Sequence, residues 1–144
     1  QKRPFSQAST GPKFTGQVMM LDKPQLFSAY VLSSPSVGWS KSEVQAGLEG
    51  LPPKLSKSGA KLKVLVTSAA DEQPRSTALG FVFDPEDAMV DDATELAIQL
   101  GRSNPPYLAV TRTVFEGEDH ETVTPASLSR TLRFVFTQAA PTKK

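Results

Sequence analysis

Thr131-Leu132-Arg133-Phe134-Val135-Phe136-Thr137 is the stretch on which the fold turns. At a period of two, Leu132, Phe134 and Phe136 share one face and Arg133, Val135 and Thr137 the other, which is the pattern of a half-buried strand. Five more runs carry strand signals. Residues 18–21 (VMML) and 27–32 (FSAYVL) are short apolar runs separated by the turn-like Asp22-Lys23-Pro24-Gln25. Residues 61–67 (KLKVLVT) place Leu62, Val64 and Val66 on one face. Residues 77–83 alternate Thr77, Leu79, Phe81 and Phe83 against Ala78, Gly80 and Val82, and residues 107–115 are rich in β-branched and aromatic types. The faces of Leu79, Phe81, Phe83, Leu132, Phe134 and Phe136 are expected to meet in one core, because a period-two apolar face is stable only when buried.

Two helices interrupt these runs. Ser40-Lys41-Ser42-Glu43 has the form of a capping box, Val44, Leu48 and Leu51 follow at helical spacing, and Gly50 with Pro52-Pro53 closes the segment. Asp92-Ala93-Thr94-Glu95 is a similar start, with Leu96 and Leu100 a turn apart and Gly101 as the stop. Leu96, Ile98 and Leu100 also alternate like a strand. The resulting order, β-β-α-β-β-α-β-β, predicts a mainly β protein: an antiparallel β-sandwich of jelly-roll type with two short helices in its connections. The alternative is an α+β sheet with two helices on one face. Residues 1–13 read as a polar, basic N-terminal arm, 14–138 as a single β-rich domain, and 139–144 as a basic tail.

Charge is segregated along the chain. Residues 1–63 hold nine Lys/Arg against three Asp/Glu, residues 64–125 three Arg against twelve acids, and the last nineteen residues four bases and no acid. The formal net charge of +1 conceals a basic, acidic, basic order. Such a chain can pair its own faces, pair with copies of itself, or hold a polyanion on one side. There is no Cys, hence no disulfide framework or thiolate chemistry. No apolar run approaches the ~18–20 residues that span a bilayer, and no membrane partner is expected. Residues 1–14 hold no apolar segment of the kind found in a secretory signal.

Few residues point to chemistry. His120, the only histidine, sits in Glu116-Gly117-Glu118-Asp119-His120-Glu121, which reads as a solvated loop. A general base would need a nucleophile or pocket near it, and neither is legible, nor is a G-x-S-x-G elbow. No catalytic residue and no cofactor is therefore expected. Asp84, Glu86, Asp87, Asp91, Asp92 and Glu95 cluster without EF-hand spacing, so no metal site is assigned, and Asp91 and Asp92 suit a helix start. Lys54, Lys57, Lys61 and Lys63 suit a solvated sheet edge. Lys2, Arg3 and Lys13 are the candidates for non-specific phosphate contacts. Trp39, Asp84, Asp87 and Asp91 are the candidates for a subunit interface, with Trp39 as an anchor and the acids facing basic surface.

The basic arm, the short strands with small helices between them, the acid-rich Phe81-Val82-Phe83-Asp84-Pro85-Glu86-Asp87-Ala88 and the terminal run 131–137 together resemble small jelly-roll coat proteins of icosahedral positive-strand RNA viruses. The resemblance implies a structural, self-assembling capsid protein, not an enzyme. It would pack around RNA through its arm, with the virion and host cytoplasm as its setting. The competing expectation is a non-catalytic β-sandwich module, extracellular or periplasmic, that recognises a protein partner.

Overall fold

The computed structural model describes residues 20–73, 88–103 and 107–137, without the side chains of Trp39 and Ser40. Strands β1 (Ala29–Ser33), β2 (Leu62–Ala69) and β3 (Leu108–Phe115) form a sheet in that order, and both pairings are parallel. Tyr30 lies beside Val64, and Val64 beside Val110. Parallel neighbours cannot be joined by a hairpin. Helix α1 (Lys41–Ser58) lies between β1 and β2, and α2 (Met89–Ser103) between β2 and β3.

Two crossovers of one hand, stepping the same way across a sheet, deliver both helices to the same face. The core is built accordingly. Leu62, Val64 and Val66 of β2 cluster with Leu48, Leu51 and Leu55 of α1 and with Leu96 and Leu100 of α2. Gly47 permits part of this packing: a Cβ there would lie 2.8 Å from Leu21, in the helical residues 20–22. Helix α3 (Val123–Phe136) follows β3 and covers the other face, against all three strands. There Lys63 Nζ donates to the carbonyls of Phe134 and Thr137 and sits 5.1 Å from the centre of the Phe134 ring, a cation at the carbonyl end of a helix.

This architecture corrects the expected fold. Among the described residues there is neither an antiparallel sandwich nor a jelly roll; two helices do lie on one face of the sheet, as in the alternative, but the sheet is parallel and a third helix covers its other face. Residues 27–32, 61–67 and 107–115 do contain strands. Residues 131–137 instead fall within α3, apart from Thr137, its C-cap. The inward face of α3 is Val123 and Ser127, with Ala126, Thr131 and Phe134 half-buried. That stripe follows a helical period, but two of its five residues are polar and one is alanine, so the louder period-two pattern of Leu132, Phe134 and Phe136 obscures it. Leu132 is 49% exposed and Phe136 76%, so the common core expected of them does not form. Residues 77–83, the other half of that core, lie outside the described residues.

Helix α1 also continues through Pro52 and Pro53, where a stop was expected. An interior proline costs a helix ~3 kcal/mol. Here Leu51 and Leu55, on either side of the pair, are both fully buried, and burying each contributes ~1.5–3 kcal/mol. Helix α2 runs where Asp92, Leu96 and Leu100 placed one, and passes through Gly101 to Ser103.

Candidate active site

In open sheets of parallel strands, ligands meet the protein beyond the carboxyl ends of the strands. Three segments leave those ends here: Ser34 after β1, a 3₁₀ turn (Ala70–Glu72) after β2, and residues 116–122 after β3. The second and third are tied directly, because the amide of Asp71 donates to the carbonyl of Glu118 at 3.1 Å.

Glu72 is completely buried. An isolated carboxylate in that position would be costly, and the site answers with hydrogen bonds. Oε2 accepts from Ser34 Oγ at 2.9 Å and from the amide of Ala69 at 2.9 Å. Oε1 lies 2.6 Å from His120 Nδ1. An ionised Glu72 is acceptor-only, which puts the proton of this contact on Nδ1 and leaves Nε2 of a neutral ring as an acceptor. The His120 side chain is 62% exposed. One edge of the imidazole is anchored to a buried anion and the rest faces outward.

The loop holding His120 is set by its neighbour. Gly117 takes a left-handed conformation, with φ +74°, and turns the chain after β3. Asp119 Oδ1 then accepts from the amides of Glu121 and Thr122, both at 2.9 Å, and from Thr122 Oγ1 at 3.1 Å. These bonds hold the Asp119 carboxyl below its ordinary range, the Thr122 amide being the largest cause. The carbonyl of Asp119 accepts from the amide of Val123, so the turn that orients His120 also starts α3.

Arg112 of β3 points to the α2 face. It donates to Ser68 Oγ at 2.5 Å, to Thr94 Oγ1 and to the carbonyls of Val66 and Val90. Burial lowers its guanidinium from the ordinary value, and the negative charge of Glu72 acts in the opposite sense. An arginine nevertheless stays charged, so Arg112 and Glu72 act on each other as opposite charges.

Of the residues singled out from sequence, Lys2, Arg3, Lys13, Asp84 and Asp87 lie outside the described residues, and the Trp39 backbone lies in a 3₁₀ turn (Val37–Ser40). Asp91 accepts from Gln73 Nε2 at 3.0 Å, and Asp92 pairs with Lys41 at 3.3 Å. Among the described residues no group of three or more His, Cys, Asp or Glu could hold a metal. His120, which reads as an idle loop histidine in the sequence, is instead bonded to a buried acid 48 positions earlier in the chain. Sequence reasoning misses Glu72 and Ser34 altogether. The available signal is order: an acid just past a buried strand, followed by a histidine just past the next, at the carboxyl end of a parallel sheet where ligands bind.

No family model matches the chain. It is 27% identical over 133 residues to ferri-bacillibactin esterase BesA of Bacillus subtilis (strain 168), covering 92% of this chain and 42% of that one. Among solved structures, a BES protein from Bacillus cereus superposes with a TM-score of 0.70 at 28% identity, over 85% of this chain and 41% of that one. Siderophore hydrolase EstB from Aspergillus nidulans gives 0.68 at 25% identity, over 90% and 47%. Its relatives are siderophore esterases and hydrolases. The chain spans less than half the length of each.

These relatives overturn the coat-protein resemblance, and with it the capsid function, the virion or host-cytoplasm setting, and the alternative of a non-catalytic binding module. They also overturn the expectation that the chain is not enzymatic, since the proteins it resembles are bacterial and fungal enzymes. The resemblance fails because it rests on organisation alone, and its terminal strand is a helix.

Proposed function

We propose that this chain supplies the acid and the base of a serine-type ester hydrolase acting on siderophore esters. The observation that carries the proposal is the fully buried Glu72 carboxylate, 2.6 Å from Nδ1 of an otherwise exposed histidine. In the roles this assigns, His120 Nε2 removes the proton from a serine hydroxyl as its oxygen attacks the ester carbonyl. Glu72 holds the Nδ1–H tautomer and stabilises the imidazolium that forms. The imidazolium then gives its proton to the departing alkoxide, leaving an acyl-enzyme. In the second half, His120 deprotonates water, the hydroxide attacks the acyl carbon, and the serine leaves with the proton returned. Ester and water become acid and alcohol, and the enzyme is unchanged.

The nucleophile is not assigned within these residues. No G-x-S-x-G elbow occurs in the 144 residues. Ser34 is not a substitute, because its hydroxyl bonds the carboxylate and not the imidazole. The order of α/β-hydrolase triads, nucleophile then acid then histidine, places the serine upstream of Glu72. The substrate class is carried over from the named activities of the relatives.

A chimera tests the proposal: this chain replaces the matching part of the B. subtilis esterase, and hydrolysis of a siderophore ester is followed. Activity that disappears in His120→Ala supports it. A folded chimera whose hydrolysis is the same with and without His120 refutes it.

A further inference from the structure

We infer that Ser34 is a positioning residue for the base, acting on His120 through Glu72; this rests on the dyad reading above. Among the described residues Ser34 is the one non-glycine with positive φ, at +44°. That region is unfavourable for a residue with a Cβ, and glycine would occupy it without strain. Ser34 is nevertheless buried and held at both ends. Its amide donates to the carbonyl of Thr67 at 2.8 Å, pinning it to the end of β2, and its hydroxyl donates to Glu72 Oε2 at 2.9 Å.

Glycine would serve the backbone here and could not serve the carboxylate. Strain kept at a site where it orders a functional group is the pattern expected when the side chain is needed. The hydroxyl of Ser34 and the amide of Ala69 together occupy Oε2, and Oε1 is left to His120. Without the hydroxyl, Oε2 keeps one of these two donors and the carboxylate can turn about its terminal bond. The Nδ1–H bond then weakens, and the imidazole spends part of its time with the proton on Nε2, where it cannot accept one from a nucleophile.

With a single histidine in the chain, ¹⁵N spectra of the 144-residue protein contain one imidazole and report its tautomer without ambiguity. Wild type is expected to be Nδ1-protonated in its neutral form. Ser34→Ala and Ser34→Gly are both expected to shift toward a mixture of tautomers. Ser34→Gly should melt higher than Ser34→Ala, because both lose the hydroxyl but only glycine relieves the φ strain. In the chimera, either variant should lower kcat about tenfold, less than loss of the base itself, with KM little changed. A folded Ser34→Gly that keeps the wild-type tautomer would overturn the inference and leave the dyad standing. A Glu72→Gln variant with an unchanged tautomer would instead remove the dyad, and this inference with it.

Discussion

The two faces of the sheet are built on opposite plans. Under α1 and α2 the strands present Leu62, Val64 and Val66 to a closed layer of leucines, and Leu51, Leu55 and Leu100 are fully buried. Under α3 the same central strand presents Lys63, Leu65, Thr67 and Ala69, and α3 answers with Val123 and Ser127. Outward from that layer, α3 leaves Leu128, Leu132 and Phe136 exposed, a stripe at helical spacing. Cohesion is concentrated on the first face. The ionisable residues of the site gather beyond the carboxyl ends of the strands, in the turns after β2 and β3. An apolar core supplies energy without direction, whereas a carboxylate and an imidazole must be held at stated distances by hydrogen bonds.

If this division is real, activity and stability should separate. The largest effect is expected at His120: in the chimera, His120→Ala should reduce kcat roughly 10²–10⁴-fold, the contribution of a general base. The same change also removes one of the three hydrogen bonds to the buried Glu72 carboxylate, so it should cost ~1–2 kcal/mol of unfolding free energy, less than the loss in activity. A loss of stability comparable to the loss of activity, seen in urea melts, would break the comparison.

Leu51→Ala should do the reverse. It empties a fully buried position between α1 and the sheet, and should cost ~2–5 kcal/mol, read as a lower urea midpoint. In spectra of the folded fraction, the His120 tautomer should be unchanged. Leu132→Ala, on the outward side of α3, should cost the 144-residue chain only ~0.5 kcal/mol or less. A cost as large as that at Leu51 would mean that the second face carries cohesion of its own.

The smallest effect concerns acid. Asp119 is more acidic in the folded chain than its ordinary value, through the bonds it accepts from Thr122 and Glu121. Its contribution is therefore fully present above the ordinary aspartate range and lost as pH falls through the lower folded value. The turn at residues 119–122 should hold at pH 5 and loosen only well into acid. Amide exchange at Thr122, measured between pH 5 and pH 2, checks this. Loosening already near pH 5 would show that the cap is not what orders the loop.

Part of the fold is legible in the residues themselves. The apolar runs in residues 27–32, 61–67 and 107–115 mark the three strands, because β-branched and aromatic side chains there suit a pleated, buried surface. Val44, Leu48 and Leu51 mark one helix, and Leu96 and Leu100 another, by a spacing that only a helix turns to one side. The parallel arrangement has a quieter sign. Val64-Leu65-Val66 is apolar without a break, as a strand covered on both faces must be, yet its alternate positions taken alone mimic a half-buried strand. Helix α3 is hidden because its inward positions include Ser127 and Thr131, while the period-two pattern of Leu132, Phe134 and Phe136 points to a strand.

His120 can be located by inspection, being unique, and the absence of cysteine chemistry and of a G-x-S-x-G elbow is a property of the sequence alone. The site cannot be located that way. Glu72 lies 48 positions before His120 and Ser34 a further 38 before Glu72, and nothing local distinguishes either from its neighbours. They meet because β1, β2 and β3 run parallel and in register, so the segments leaving their carboxyl ends converge at one edge of the sheet. Local side-chain chemistry determines which stretches become strands and helices. Only their packing decides that a buried carboxylate, a strained serine and an exposed imidazole share one line of hydrogen bonds.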